Sequence, residues 1–156
     1  MKRSIIAVLF VVSLCLLIAG CGGSSAKELD VAAFASAAVE KVDFGDDLLS
    51  VPNDMLSDYY FLPKDKVSES AVYVSGTGAT ASELAVFKCK DADAAKEVKT
   101  AVETRISEQI ASYENYRPDE KFRLENAFVA VDGNYVVFAV SNDNQAVEKL
   151  LESSMK

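Results

Sequence analysis

The sequence predicts an α+β domain: a four-stranded, mainly antiparallel sheet from two β-hairpins, with helices on one face in the order αα-ββα-ββα. Three observations predict it. Residues 67–75 with 83–90, and 127–131 with 135–141, are paired runs rich in β-branched and aromatic residues, each joined by a glycine-containing connection. Each pair is followed by an acid-rich start and apolar residues at helical spacing. Two shorter helical segments precede the first pair.

Taken in order, Asp30 stands as a cap before 31–42, where Val31, Phe34, Ala38 and Val42 recur at helical spacing, and Asp43-Phe44-Gly45 ends the segment. Residues 48–52 read as irregular. Residues 53–60 read as a short helix that stops before Pro63. Within it, Asp58-Tyr59-Tyr60-Phe61 is the densest aromatic cluster, either a lid packed on the core or part of a binding groove.

The first hairpin turns through Gly76-Thr77-Gly78-Ala79-Thr80-Ala81-Ser82, a small-residue stretch expected to be a flexible tip. A phosphate-loop reading fails there, because no Lys follows the second glycine and the loop leads to a strand instead of a helix N-terminus. Asp91 and Asp93 open a long helix to about Tyr113, acids at the positive end of the dipole. Its stripe of Ala95, Val98, Val102, Ile106, Ile110 and Tyr113 makes it the main core helix. Arg117-Pro118 starts a short helix. Asp132-Gly133-Asn134 is a tight-turn signal for the second hairpin. Asn142 is expected to cap the final helix, with Gln145 as its capping-box partner.

The N-terminus carries an address. Lys2 and Arg3 precede an apolar run from Ile5 to Ala19 interrupted only by Ser13, the layout of an export signal, and the run is short for a membrane span. Ile18-Ala19-Gly20-Cys21 resembles the bacterial lipobox, which places a diacylglyceryl group on Cys21. The expected organisation is a signal peptide at 1–20, a flexible tether at 21–28 and a single α+β domain with one core at 29–156. The expected location is the extracytoplasmic face of the cell membrane, where two acyl chains suffice for a stable anchor.

Composition narrows the chemistry. Removing the leader takes away Lys2 and Arg3 and no acid, so the net charge of −8 becomes −10. Nucleic acid is excluded as a partner, since its binding rests on neutralising phosphates with cations. With no histidine, imidazole bases, Ser-His or Cys-His pairs and His-containing zinc sites are absent. Of three cysteines, Cys15 lies in the leader and Cys21 is the acylation site, so Cys89 has no disulfide partner. Cys89 shares a strand face with Ala85 and Phe87, which reads as a buried, inert thiol. Asp43 with Asp46-Asp47, Asp91 with Asp93, and Asn142-Asp143-Asn144 lack calcium-loop spacing, so no metal and no cofactor is expected.

Glu83, Arg105 and Gln109 are the polar residues to inspect first. Arg105 interrupts the edge of the long helix's apolar stripe and Glu83 starts the strand beside it. Together they read either as an ion pair tying helix to sheet or as a recognition spot flanked by Tyr59, Tyr60, Tyr113 or Tyr116.

Tyr73-Val74-Ser75, Gly78 to Lys88, the helix with Arg105, Gln109 and Tyr113, then Tyr116, Pro118 and Asp132-Gly133-Asn134-Tyr135-Val136 resemble the bacterial lipoprotein family catalogued as domain of unknown function 4358. The likeness covers nearly all of the chain after the leader. It implies a leader with lipobox and no assigned activity. The expected function is a non-catalytic, lipid-anchored binding or interaction domain acting on an envelope protein or another envelope component. Alternatives are a small-ligand or cation-binding accessory lipoprotein of a transporter and, below it, a His-free hydrolase working through paired carboxylates.

Overall fold

The computed structural model describes residues 28–62 and 65–155. In chain order these form α1 (Val31–Lys41), β1 (Leu48–Val51), a 3-10 turn (Asn53–Met55), α2 (Leu56–Tyr60), β2 (Val67–Ser75), β3 (Glu83–Cys89), α3 (Ala92–Tyr113), α4 (Pro118–Glu125), β4 (Phe128–Asp132), β5 (Tyr135–Val140) and α5 (Asn144–Ser154). The leader, Cys21 and nearly all of the expected tether lie outside the described residues.

All neighbouring strands run antiparallel, in the order β1-β2-β3-β5-β4. Both expected hairpins are present, and they join through β3 and β5, from Glu83↔Val140 to Lys88↔Tyr135. The sheet has five strands where four were expected. Leu48–Val51, read as irregular, pairs with β2 from Leu48↔Ser75 to Val51↔Val72. Four residues carry too little alternation to announce a strand, and it is the pairing to β2, distant in sequence, that holds them extended.

The helices cover both faces of the sheet, which corrects the expected single layer. On β3, Ala85, Phe87 and Cys89 point into one cluster with Ala95, Val98 and Val102 of α3 and Leu124 of α4. Leu84 and Val86 point the other way, into a second cluster with Phe34, Ala35 and Ala38 of α1 and Val147 and Leu151 of α5. β5 divides in the same manner, with Val136, Phe138 and Val140 on the first side and Tyr135, Val137 and Ala139 on the second. The one core expected is therefore two, separated by the sheet. Phe87 and Phe138 are fully buried, and truncating a phenylalanine in such a position to alanine costs about 3–5 kcal/mol.

Local chemistry sets the element ends. Asp30 accepts from Ala33 N at 2.9 Å and Asp91 from Ala94 N at 2.7 Å, each satisfying an otherwise unpaired donor of its helix's first turn. Pro118 opens α4. The cap of α5 is Asp143, which accepts from Ala146 N at 2.9 Å, and not Asn142 as expected. Asn142 is held outside the helix by Asp43, its backbone N donating to Asp43 O at 2.8 Å and its amide to Asp43 Oδ2 at 3.1 Å. The shift by one residue removes Gln145 from the capping-box position. Gly133 has φ +58°, so the two-residue turn between β4 and β5 uses its glycine where a side chain is disfavoured.

Candidate functional site

Glu83, at the first position of β3, faces the α3 side of the sheet with its side chain 1% exposed. A buried carboxylate needs partners on both oxygens, and three residues of two helices supply them. Oε1 accepts from Tyr60 Oη on α2 and from Arg105 Nε on α3 at 2.7 Å. Oε2 accepts from Arg105 Nη2 at 2.7 Å and from Gln109 Nε2 at 3.2 Å. Arg105 and Gln109 lie one turn apart on α3, so one helical face presents both to the same carboxylate. The pairing is bidentate, the strong geometry for guanidinium and carboxylate.

Arg105 is also what fastens α2. Its guanidinium carbon stands 5.0 Å from the Tyr59 ring centre and 5.1 Å from that of Tyr60, and Nη1 donates to Tyr59 O at 3.2 Å. Tyr60 meets Phe87 edge to face at 5.2 Å. Burial, reinforced by the Glu83 charge, pushes the Tyr60 phenol well above its ordinary pKa. Burial opposes the Arg105 charge, and the Glu83 hydrogen bonds and charge outweigh it, so Arg105 is held protonated. Phe61, by contrast, ends α2 in a left-handed conformation, φ +52°, with 72% of its surface exposed.

A second buried acid, Glu120 on α4, escaped the sequence reading. Its Oε2 accepts from Arg123 Nη1 at 2.7 Å and from Ala81 N at 2.9 Å. Arg123 Nη2 donates to Ser82 Oγ at 3.0 Å and to Phe44 O at 2.8 Å, tying α4 to both loops at that end of the sheet. The available signal was spacing: Glu120 precedes the buried Leu124 by four residues, so an acid lies on the apolar stripe. Tyr113 feels both ion pairs. Burial, followed by the Glu120 charge, raises its pKa.

The β2–β3 connection, expected to be a flexible tip, is fastened by Asp46. Its Oδ2 accepts from Ser75 at 2.5 Å, Thr77 at 2.6 Å and Thr80 at 2.9 Å. Those hydroxyls, Ser75 first, hold the Asp46 carboxyl at about 2. Asp46 and Asp43, acids whose grouping in the sequence lacks calcium-loop spacing, accept instead from hydroxyls, Gly45 N and the Asn142 amide. Among the described residues no group of acids and cysteines is arranged to hold a metal ion.

Of the expected site residues, Glu83, Arg105 and Gln109 converge, Tyr113 borders them, and Tyr116 stands apart with 74% of its surface exposed. Cys89 is 1% exposed, and burial pushes its thiol up to about 11. No helix of the described residues is long and apolar enough to cross a membrane.

The family described as a domain of unknown function, DUF4358, matches residues 40–141, about two thirds of the chain and all five strands. The chain belongs to this family. No curated protein and no solved structure matches it. The DUF4358 match contains Glu83, Arg105, Gln109, Tyr113, Tyr116, Glu120 and Arg123. It leaves out α5 and nearly all of α1, the two helices that cover the second face of the sheet.

Proposed function

We propose that this DUF4358 chain is a non-catalytic interaction domain, held at the extracytoplasmic face of the membrane by a diacylglyceryl group on Cys21. The anchoring half is supported by Lys2 and Arg3, the apolar run and Ile18-Ala19-Gly20-Cys21. The interaction half is carried by one observation. Both Glu83 oxygens are engaged, with Gln109 Oε1 the one buried atom of the cluster left without a partner among the described residues, while Phe61, Tyr116 and Phe122 stand 72%, 74% and 66% exposed where α2 ends, beyond α3 and on α4. Exposed aromatics of this kind contribute large contact area at low entropy when a partner covers them. In this reading Glu83, Arg105 and Gln109 position α2 and its tyrosines, and the partner touches the exposed rings.

A second reading, an accessory lipoprotein that binds a small ligand, is favoured by a cleft of about 430 Å³ between α4 and the start of α5. The test of the first reading places a photo-crosslinking residue at position 61, 116 or 122 in intact cells, with position 99 on the exposed side of α3 as control. A discrete adduct with an envelope component from the aromatic positions is expected. Cys21→Ala should move the protein out of the membrane fraction. Adducts no stronger than at position 99, or a Cys21→Ala chain that fractionates like the parent, would overturn it.

A further inference from the structure

The 430 Å³ cleft is lined by Phe122, Asn126, Asn142, Asp143, Asn144 and Gln145, with Arg123 and Ser141 at its back. Four side-chain amides line this wall, and three of them are fixed by the protein. Asn126 Nδ2 donates to Phe122 O at 2.8 Å. Asn142 Nδ2 donates to Asp43 Oδ2 at 3.1 Å, which orients its amide. Asn144 accepts from Ser141 Oγ at 2.7 Å and donates to Asn126 O at 2.6 Å, clamping the end of α4 to the start of α5. Gly45 backs this wall: with φ +71°, a Cβ there would fall 2.8 Å from Asn142 Nδ2. Among the described residues, the Oδ1 atoms of Asn126 and Asn142 and the whole Gln145 amide have no protein partner.

Charge decides what such a wall can hold. Arg123 donates through Nη1 and Nη2 to Glu120, Ser82 and Phe44, and its Nε, left without a partner, is buried, so its charge is paired with Glu120 and not presented to an anion in the cleft. Asp143 turns its carboxylate onto Ala146 N, filling the one place where the α5 dipole would attract a negative group. What remains offers no free cation, keeps the second Asp143 carboxylate oxygen as an acceptor that repels anions, presents oriented amide donors and acceptors, and is bordered by the exposed ring of Phe122. Neutral hydroxyls bond to the amides and a face of C–H groups packs on the ring. A ligand with both belongs to one class.

We propose that this cleft binds an uncharged saccharide, with Phe122 as the stacking platform and Asn126, Asn142 and Gln145 reading its hydroxyls. The proposal deepens the small-ligand reading and is independent of Cys21 acylation. It is tested by calorimetric titration of the full-length chain with chitotetraose, cellotetraose and maltotetraose, and separately with inorganic phosphate. Saturable binding of at least one oligosaccharide is expected, weakened at least tenfold by Phe122→Ala and at least threefold by Gln145→Ala. Glu108→Ala, exposed on α3 and outside the cleft, should leave it unchanged. Both cleft substitutions are at exposed positions, so unfolding temperatures should match the parent. Binding of none of the three, phosphate binding in their place, or parental affinity in Phe122→Ala would overturn the proposal. The crosslinking at positions 61 and 116 would then still decide the tethered-interaction reading by itself.

Discussion

Replacing Arg105 with methionine removes the cation from Glu83 while keeping much of the side chain's length and apolar bulk. The Glu83 side chain is 1% exposed and that of Arg105 15%, so solvent does little to rescue the stranded carboxylate. It would retain only Tyr60 Oη and the 3.2 Å bond from Gln109. Breaking one side of a buried pair costs about 3–5 kcal/mol, a large share of the ~5–15 kcal/mol that holds a domain together. At roughly 3 °C per kcal/mol for a chain of this size, the unfolding midpoint should fall by about 10–15 °C. Thermal and urea unfolding followed by circular dichroism give both numbers. Glu83→Leu combined with Arg105→Met should recover part of the loss by removing the uncompensated charge. A midpoint within about 2 °C of the parent for Arg105→Met, equivalent to less than 1 kcal/mol, would refute the view that this pair fastens α2 and α3 to the sheet.

Asp46, held at about 2 by the Ser75, Thr77 and Thr80 hydroxyls, contributes stability that is present above its unfolded value near 3.9 and lost as pH falls through about 2. Asp46→Ala should therefore flatten the acid limb of a stability-pH profile in that window, and a profile parallel to the parent's would contradict the assignment. Cys89, buried with its thiol at about 11, should resist iodoacetamide at pH 8 in the native protein and react promptly in denaturant, as peptide mapping at Cys89 would register. A fragment spanning residues 40–141, the family match, keeps five strands but bares the face formed by Leu84, Val86, Val137 and Ala139. It should be aggregated or molten by light scattering and near-ultraviolet dichroism. A folded monomeric fragment would show that α1 and α5 are dispensable.

The hairpins, the long α3 and the meeting of Glu83 with Arg105 were legible because each rests on local pattern: two apolar runs about a glycine turn, a stripe at helical spacing, and a charge breaking that stripe. The second helical layer was legible too. Tyr135-Val136-Val137-Phe138-Ala139-Val140 is continuously apolar instead of alternating, the mark of a strand covered on both sides. β1 was not readable, since its four residues are a strand only by virtue of β2. The role of Asp46 could not be anticipated either, because its hydroxyl partners stand 29 to 34 residues away and come together only when β1 and β2 pair. The misplaced α5 cap turned on a competition between Asn142 and Asp143, both good caps, which Asp43 resolves by capturing Asn142.

The proposed tether depends on the chemistry of one sulfur atom. Mass spectrometry of the N-terminal peptide of the native, membrane-extracted protein should show a chain that begins at Cys21, with a diacylglyceryl thioether on Sγ. A chain that keeps residues 1–20, or an unmodified Cys21 in protein recovered from the cytosol, would contradict it.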